Sequence, residues 1–336
     1  MYVQLQYSEW GPHAYFSFLS QDILVIPNLI LNTLEVVKIA IDENDDIPRL
    51  IPLCQLGLPP LTQGASMVRL CCRGEPNPTG SGPLAIPAPS HRPFRDKATN
   101  AIILFNVVIE CAHVPTRDFD FPETRPFTFI VHRCALLAHI PAALRACAPF
   151  RTTSESVPAP VEVPWSAWGV AATRWFESDP ASMRWITTTA GQRAVAMEDA
   201  ALTPIIVRDF NPYTVRTARA CAAARGQSQQ CNWSEPLPNG NRTILTVEET
   251  VLPAGSVFKE DMRSALPYVE IVTQEKYRYQ GVLIDEERIL GLKVRLDWRV
   301  LTGVMVVLNC ILSALVFKTS RNDELGLSSF DVHILG

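Results

Sequence analysis

Between Asp22 and Ile41 the chain runs apolar, breaks and runs apolar again. Ile23-Leu24-Val25-Ile26 closes on Pro27-Asn28, and Leu34 to Ile41 follows a polar break. β-Branched residues dominate both runs, and turn residues separate them, which predicts two strands. Asp42 to Asp46 reads as a polar loop, and residues 74–98, rich in Pro, Gly and Ser, as a surface loop or linker. Ala101 to Val108 is continuously apolar. That predicts a strand buried on both faces, with a short helix as the alternative, because periodicity alone does not separate the two. Phe127 to Val131 predicts a half-buried strand. Cys134 to Ala148 places Leu136, Leu137, Ile140 and Leu144 near one helical face, and Pro141 limits it to short turns.

From Val161 onward apolar runs recur at strand-and-turn spacing. They are Val161 to Val163, Ala171 to Phe176, Met183 to Thr189, Arg193 to Met197 and Pro204 to Phe210, then Thr243 to Val251, Tyr268 to Thr273, Tyr277 to Ile284 and Arg288 to Val294. Thr189-Ala-Gly191-Gln and Pro238-Asn-Gly240-Asn supply hairpin turns. The pattern predicts a mainly β chain of antiparallel sheets, incomplete β-propeller-like or sandwich-like, with a few short helices.

Composition narrows the function. Hydrophobic residues make up 47% of 336 and charged ones 19%, so a large core can be buried. The 27 prolines against 16 glycines keep the elements short. A net charge of -4 provides no basic footprint, so no nucleic-acid partner is expected. The nine cysteines are odd in number and irregular in spacing, and Met1 to Gln6 lacks a secretory n-region. Free, mostly buried thiols in the cytoplasm or nucleus are expected.

No residue set in the sequence predicts an enzyme or a cofactor. The stretch from Gly74 to Gly82 carries Pro76 and Pro78 and no following lysine, so it lacks the donors that cradle phosphate. A Gly-x-Ser-x-Gly elbow is absent. Asp42, Asn44 and Asp46 begin like a calcium loop, but Ile47 and Leu53 occupy the positions that need Gly and Glu. Cys111, His113, His132 and Cys134 are the candidate metal ligands. Residues two apart on a strand share a face, so two such strands could offer four ligands to zinc. The ordinary alternative is separate core thiols and hydrogen-bonded histidines, and no metal is the expectation. Asp118 with Asp120, and Asp285-Glu286-Glu287, pair carboxylates in the manner of solvated turns. Trp165, Trp168, Trp175 and Trp185 read as core, with a partner anchor as the alternative. Leu301 to Phe317 is uncharged and flanked by cations, which leaves a C-terminal membrane anchor open beside two buried strands.

A series of motifs resembles the C-terminal region of F-box-type proteins of mushroom-forming fungi. They are Phe18 to Asn28, Leu34 to Ile39, Leu56-Gly-Leu-Pro-Pro60, Cys72 to Gly80, Val163 to Gly169, Thr173-Arg-Trp-Phe176, Asp209 to Tyr213, Leu283 to Lys293 and Asp331 to Gly336. The resemblance covers residues 10–293 and 318–336. It implies a β-rich, propeller-like module that binds a protein substrate of a ubiquitin ligase. No F-box precedes residue 10, so docking to the ligase adaptor is not expected. The family pattern passes from Lys293 almost directly to the closing motif, so Val294 to Phe317 reads as an insertion of the length of a retained intron. The resulting division is 1–50 as strands of a first subdomain, 51–293 as the main β-rich domain, 294–317 as the insertion and 318–336 as a C-terminal strand. The expected function is a protein-interaction module with an unidentified partner. The rivals are a hydrolase whose Ser, His and Asp converge only in the fold, and a tail-anchored membrane protein.

Overall fold

A computed structural model of the chain describes residues 16–42, 45–78, 98–111, 123–142, 159–178, 188–197, 202–225, 232–237, 240–285, 288–294 and 327–334. The chain lays down antiparallel sheets one after another. The first holds β1 (Ser17–Phe18), β2 (Ile23–Asn28), β3 (Thr33–Asp42) and β4 (Asp45–Gly57), paired in chain order. The predicted boundary at residue 50 falls inside β4. The second sheet begins with β5 (Ser66–Arg73), β6 (Ile102–Glu110) and β7 (Thr124–His132), followed by the short α1 (Arg133–Ala138). The chain then returns to the first sheet, where β8 (Val161–Val163) pairs in parallel with Cys54 to Leu56. Helix α2 (Trp165–Ala172) carries it back, and β9 (Thr173–Glu177) completes the second sheet beside β7.

The third sheet runs β10 (Thr189–Ala190), β11 (Arg193–Ala196) and β12 (Thr203–Asp209) in sequence. Helix α3 (Pro212–Ala224) follows, then β13 (Asn232–Pro236) and β14 (Arg242–Thr246). A small hairpin of β15 (Thr250–Leu252) and β16 (Met262–Ser264) intervenes before β17 (Tyr268–Tyr277) inserts between β12 and β14. The fourth sheet holds β18 (Gly281–Ile284), β19 (Arg288–Val294) and β20 (Leu327–Ile334). The predicted class therefore stands: mainly β, antiparallel sheets, few and short helices.

The sheets stack face to face in chain order. One face of the second sheet, with Ile103, Phe105, Val107, Phe127, Phe129 and Trp175, packs on Val25, Leu34, Val36 and Leu53 of the first. Its opposite face, with Ile102, Leu104 and Ile130, meets Ala194, Phe210 and Tyr268 of the third. That central position is why β6 lacks polar alternation, as predicted. It also corrects the reading of β7 as half-buried: Phe127 to His132 are all buried, because the third sheet covers the face assigned to solvent. The outer face of the third sheet packs Val195, Ile205 and Val207 against Val282, Ile284 and Ile289 of the fourth. Val215 and Ala222 of α3 seal Leu245 and Val269 on the same face.

Helix α3 was not anticipated, although its signals are local. Asn211 caps it by accepting from the Tyr213 amide at 2.9 Å, and Pro212 opens it. The helical face expected over 134–148 begins in α1, and residues 143–148 lie outside the described residues.

Phe105, Phe129 and Trp175 stand directly opposite one another on β6, β7 and β9. Their rings stack at 4.5 and 4.6 Å. Each such pair contributes about 0.5–1.5 kcal/mol beyond its buried area. Phe258, on the excursion between β14 and β17, adds its ring against Phe127 at 5.4 Å and Trp175 at 5.9 Å. The excursion is strapped to the first part of the chain by Thr62 N donating to the Val257 carbonyl and Lys259 N to that of Pro60, each at 3.0 Å.

Candidate functional site

The candidate metal ligands are not brought together. Cys111 follows β6 directly, while Ile102 at the other end of that strand pairs with His132. At about 3.4 Å per residue the length of β6 separates the two positions by roughly 30 Å. His132 is buried, with Nδ1 3.0 Å from the Asn100 carbonyl oxygen, and Cys134 is exposed on α1. His113 lies outside the described residues, among which no cluster of His, Cys, Asp and Glu fits a metal ion. Asp118 and Asp120 also lie outside them. Asp285 closes the β18–β19 turn, its carboxylate accepting from Arg288 N at 2.6 Å and Arg288 Nε at 2.9 Å. Trp168 and Trp175 are core, Trp165 packs against both, and Trp185 is outside the described residues. Among the described residues no helix is long and apolar enough to cross a membrane, and Leu301 to Phe317 lies beyond them.

Two features that pattern reading missed stand out. The first is the turn from β2 to β3. Asn28 is buried, and its Oδ1 accepts from the amides of Ile30 and Leu31 at 3.1 Å each. Asn32 adopts a left-handed φ of 53° and donates from Nδ2 to the Pro59 carbonyl at 2.9 Å. The turn is thereby fixed, and it holds Ile30 77% and Leu31 56% exposed.

The second is a cavity of about 150 Å³ between the second and third sheets. Leu104, Ile130 and Phe176 form its apolar wall on one side, and Ala194, Ala196 and Met197 line the other. Across β9, β7 and β6 runs a hydrogen-bonded line. Ser178 Oγ donates to Thr128 Oγ1 at 2.6 Å, and Thr128 Oγ1 to Asn106 Oδ1 at 2.9 Å. Arg208 lies over the Phe176 ring at 4.0 Å and donates from Nε to Glu270 Oε2 at 3.0 Å. Glu177 at the rim is held by Arg125 Nη2 at 2.6 Å. The lining contains Ser178 but no histidine or aspartate, so the convergence expected of a hydrolase is not formed there. Asn106 is the one polar residue inside the run from Ala101 to Val108 that reads as continuously apolar, and it is the signal for this site that pattern reading passes over.

Two arginines are fully buried and bond to backbone carbonyls. Arg133 donates from Nη1 to Pro76 at 2.6 Å and Ala98 at 3.0 Å, and from Nη2 to Gly74 at 2.7 Å. It thus holds both ends of the Pro- and Gly-rich loop. Burial pulls its pKa down to about 10, against a smaller upward pull from Glu75. Arg174 plays the same part for the β14–β17 excursion, and burial lowers its pKa too.

No family model, curated protein or solved structure matches the chain. The class rests on the architecture itself: a mainly β protein of serially stacked antiparallel sheets, with a fixed apolar turn on the first and a cavity of mixed polar and apolar lining between the second and third.

Proposed function

We propose that the chain is a protein-interaction module, in the substrate-recognising role that its resemblance to F-box-type proteins implies. The observation that supports this most directly is the β2–β3 turn. Two adjacent aliphatic side chains in water forgo burial, and a turn fixed by Asn28 and Asn32 spares the entropy of ordering them on binding. A few fully desolvated side chains carry most of the energy at protein interfaces, and two pre-ordered aliphatic ones cost little entropy to bury. Propeller blades and stacked sheets alike display such turns at their rims.

The test replaces both residues, Ile30→Asp with Leu31→Asp. Exposed positions tolerate substitution within about 0.5 kcal/mol, so the melting curve stays in place. Quantitative affinity capture with the wild-type chain recovers defined partners that the double variant loses. Identical partner sets for the two proteins would remove the support. Recovery of a ligase adaptor is expected only for a longer relative that carries an F-box.

A further inference from the structure

We propose that the cavity between the second and third sheets binds a carboxylate carried on a small apolar body. Asn106 is 4% exposed, and its carbonyl is taken by Thr128. With Thr128 donating to Asn106 Oδ1, the Asn106 amide nitrogen lines the cavity as a donor, and no described residue accepts from it. Thr188, 7% exposed, lines the same space with a hydroxyl that likewise has no partner among the described residues. Arg208 spends Nε on Glu270 and lays its plane on Phe176, and its terminal nitrogens have no bonded partner among the described residues. The lining thus offers three donor groups that have no acceptor among the described residues. Its one acid, Glu177, is engaged by Arg125.

Donors that face a half-enclosed cavity and have no protein acceptor among the described residues are the groups a ligand oxygen can meet, and such a bond stabilises most when the oxygen is charged. Charged acceptors gain most from a guanidinium and an amide together. Glu270 balances part of the Arg208 charge, so the site suits one negative charge rather than two. The body of the ligand meets Leu104, Ile130, Phe176 and Met197. A void of about 150 Å³ is the size that holds a benzene ring.

Benzoate is the probe, read by the melting temperature and by chemical-shift titration of the whole chain. A saturable rise in melting temperature is expected, with benzamide weaker and benzylamine without effect. Asn106→Asp still accepts from Thr128 but replaces the donor with a negative charge, and it weakens benzoate by about tenfold or more. Ala196→Phe fills the cavity from the opposite sheet and abolishes binding, so the test survives if the Asn106 variant folds poorly. The peptide Gly-Gly-Phe with a free carboxylate, compared with its C-terminal amide, separates the two sources of the same group. Tighter binding than benzoate, lost on amidation, assigns the terminus of a partner chain, and binding no tighter assigns a free acid. No saturable response to benzoate, an equal response to benzylamine, or binding unchanged in both variants would overturn the proposal and leave the cavity to water.

Discussion

Arg174 donates from Nε to the Leu266 carbonyl at 2.7 Å, across the gap between the second sheet and the end of the excursion that leaves the third. Its Nη1 reaches the beginning of that excursion, at the Glu248 carbonyl and Thr250 Oγ1, each at 2.7 Å. The plane of the guanidinium lies 5.4 Å from the Tyr268 ring centre. One side chain therefore closes the base of a strap whose far end, Phe258, fills the core between the first and second sheets. Without it the carbonyls would be buried and unpaired, and the strap would have no fixed origin.

Arg174→Met is expected to destabilise the chain by about 3 kcal/mol or more, because it strands buried acceptors. Arg174→Lys recovers only a minor part, since one ammonium cannot span the same three acceptors. Urea denaturation followed by tryptophan fluorescence measures both. A variant Arg174→Met within 0.5 kcal/mol of wild type would show that the clasp is dispensable.

Trp175 joins the stack on Phe129 and is fully buried, and its Nε1 has no partner among the described residues. Trp175→Ala is expected to cost about 3–5 kcal/mol through the cavity it opens. Trp175→Phe keeps a ring in the stack and removes the unpaired donor, so it costs clearly less. Equal losses in thermal melts would mean that the stack contributes little beyond volume.

Burial raises the Cys54 thiol from 9.0 to about 11. A folded pKa above the unfolded one means the contribution is complete below about pH 9. It is lost as the pH rises through 11, because the unfolded chain gives up the proton first. Cys72 is shifted upward by the same cause. Stability measured in urea is expected to fall over that window, with Cys54 accounting for roughly 3 kcal/mol. Cys54→Ala flattens that part of the slope, and an unchanged slope would remove Cys54 as its source.

Exposure separates the thiols in a second measurement. In the native protein, iodoacetamide is expected to label Cys134 and Cys221 quickly, and Cys54, Cys71, Cys72 and Cys111 only after denaturation. Peptide mass spectrometry reads the order directly. Fast native labelling of Cys72 would contradict its place in the core.

Much of the strand map is written in short-range pattern. Ile23 to Ile26, Leu34 to Ile41, Ile102 to Val108 and Arg288 to Val294 all sit within strands, because β-branched runs bounded by turn residues have few other stable conformations. The turn at Gly191 was legible for a similar reason: its φ of 57° is one that glycine adopts without strain. Helix α3 carries a local signal too, in Asn211-Pro212, but no element was expected over Pro212–Ala224.

The sequence by itself determined that this chain is mainly β and that the run at Ala101 to Val108, whether strand or short helix, suits burial on both faces. Only the tertiary structure decided that β7 is covered on both sides, that Cys111 and His132 lie at opposite ends of one strand pair, and that Asn106, Thr188 and Arg208 share a cavity. Strand propensity is a property of neighbours along the chain. Pairing and stacking depend on residues far away in sequence, such as Arg174 with Leu266, and nothing local to either residue announces the other.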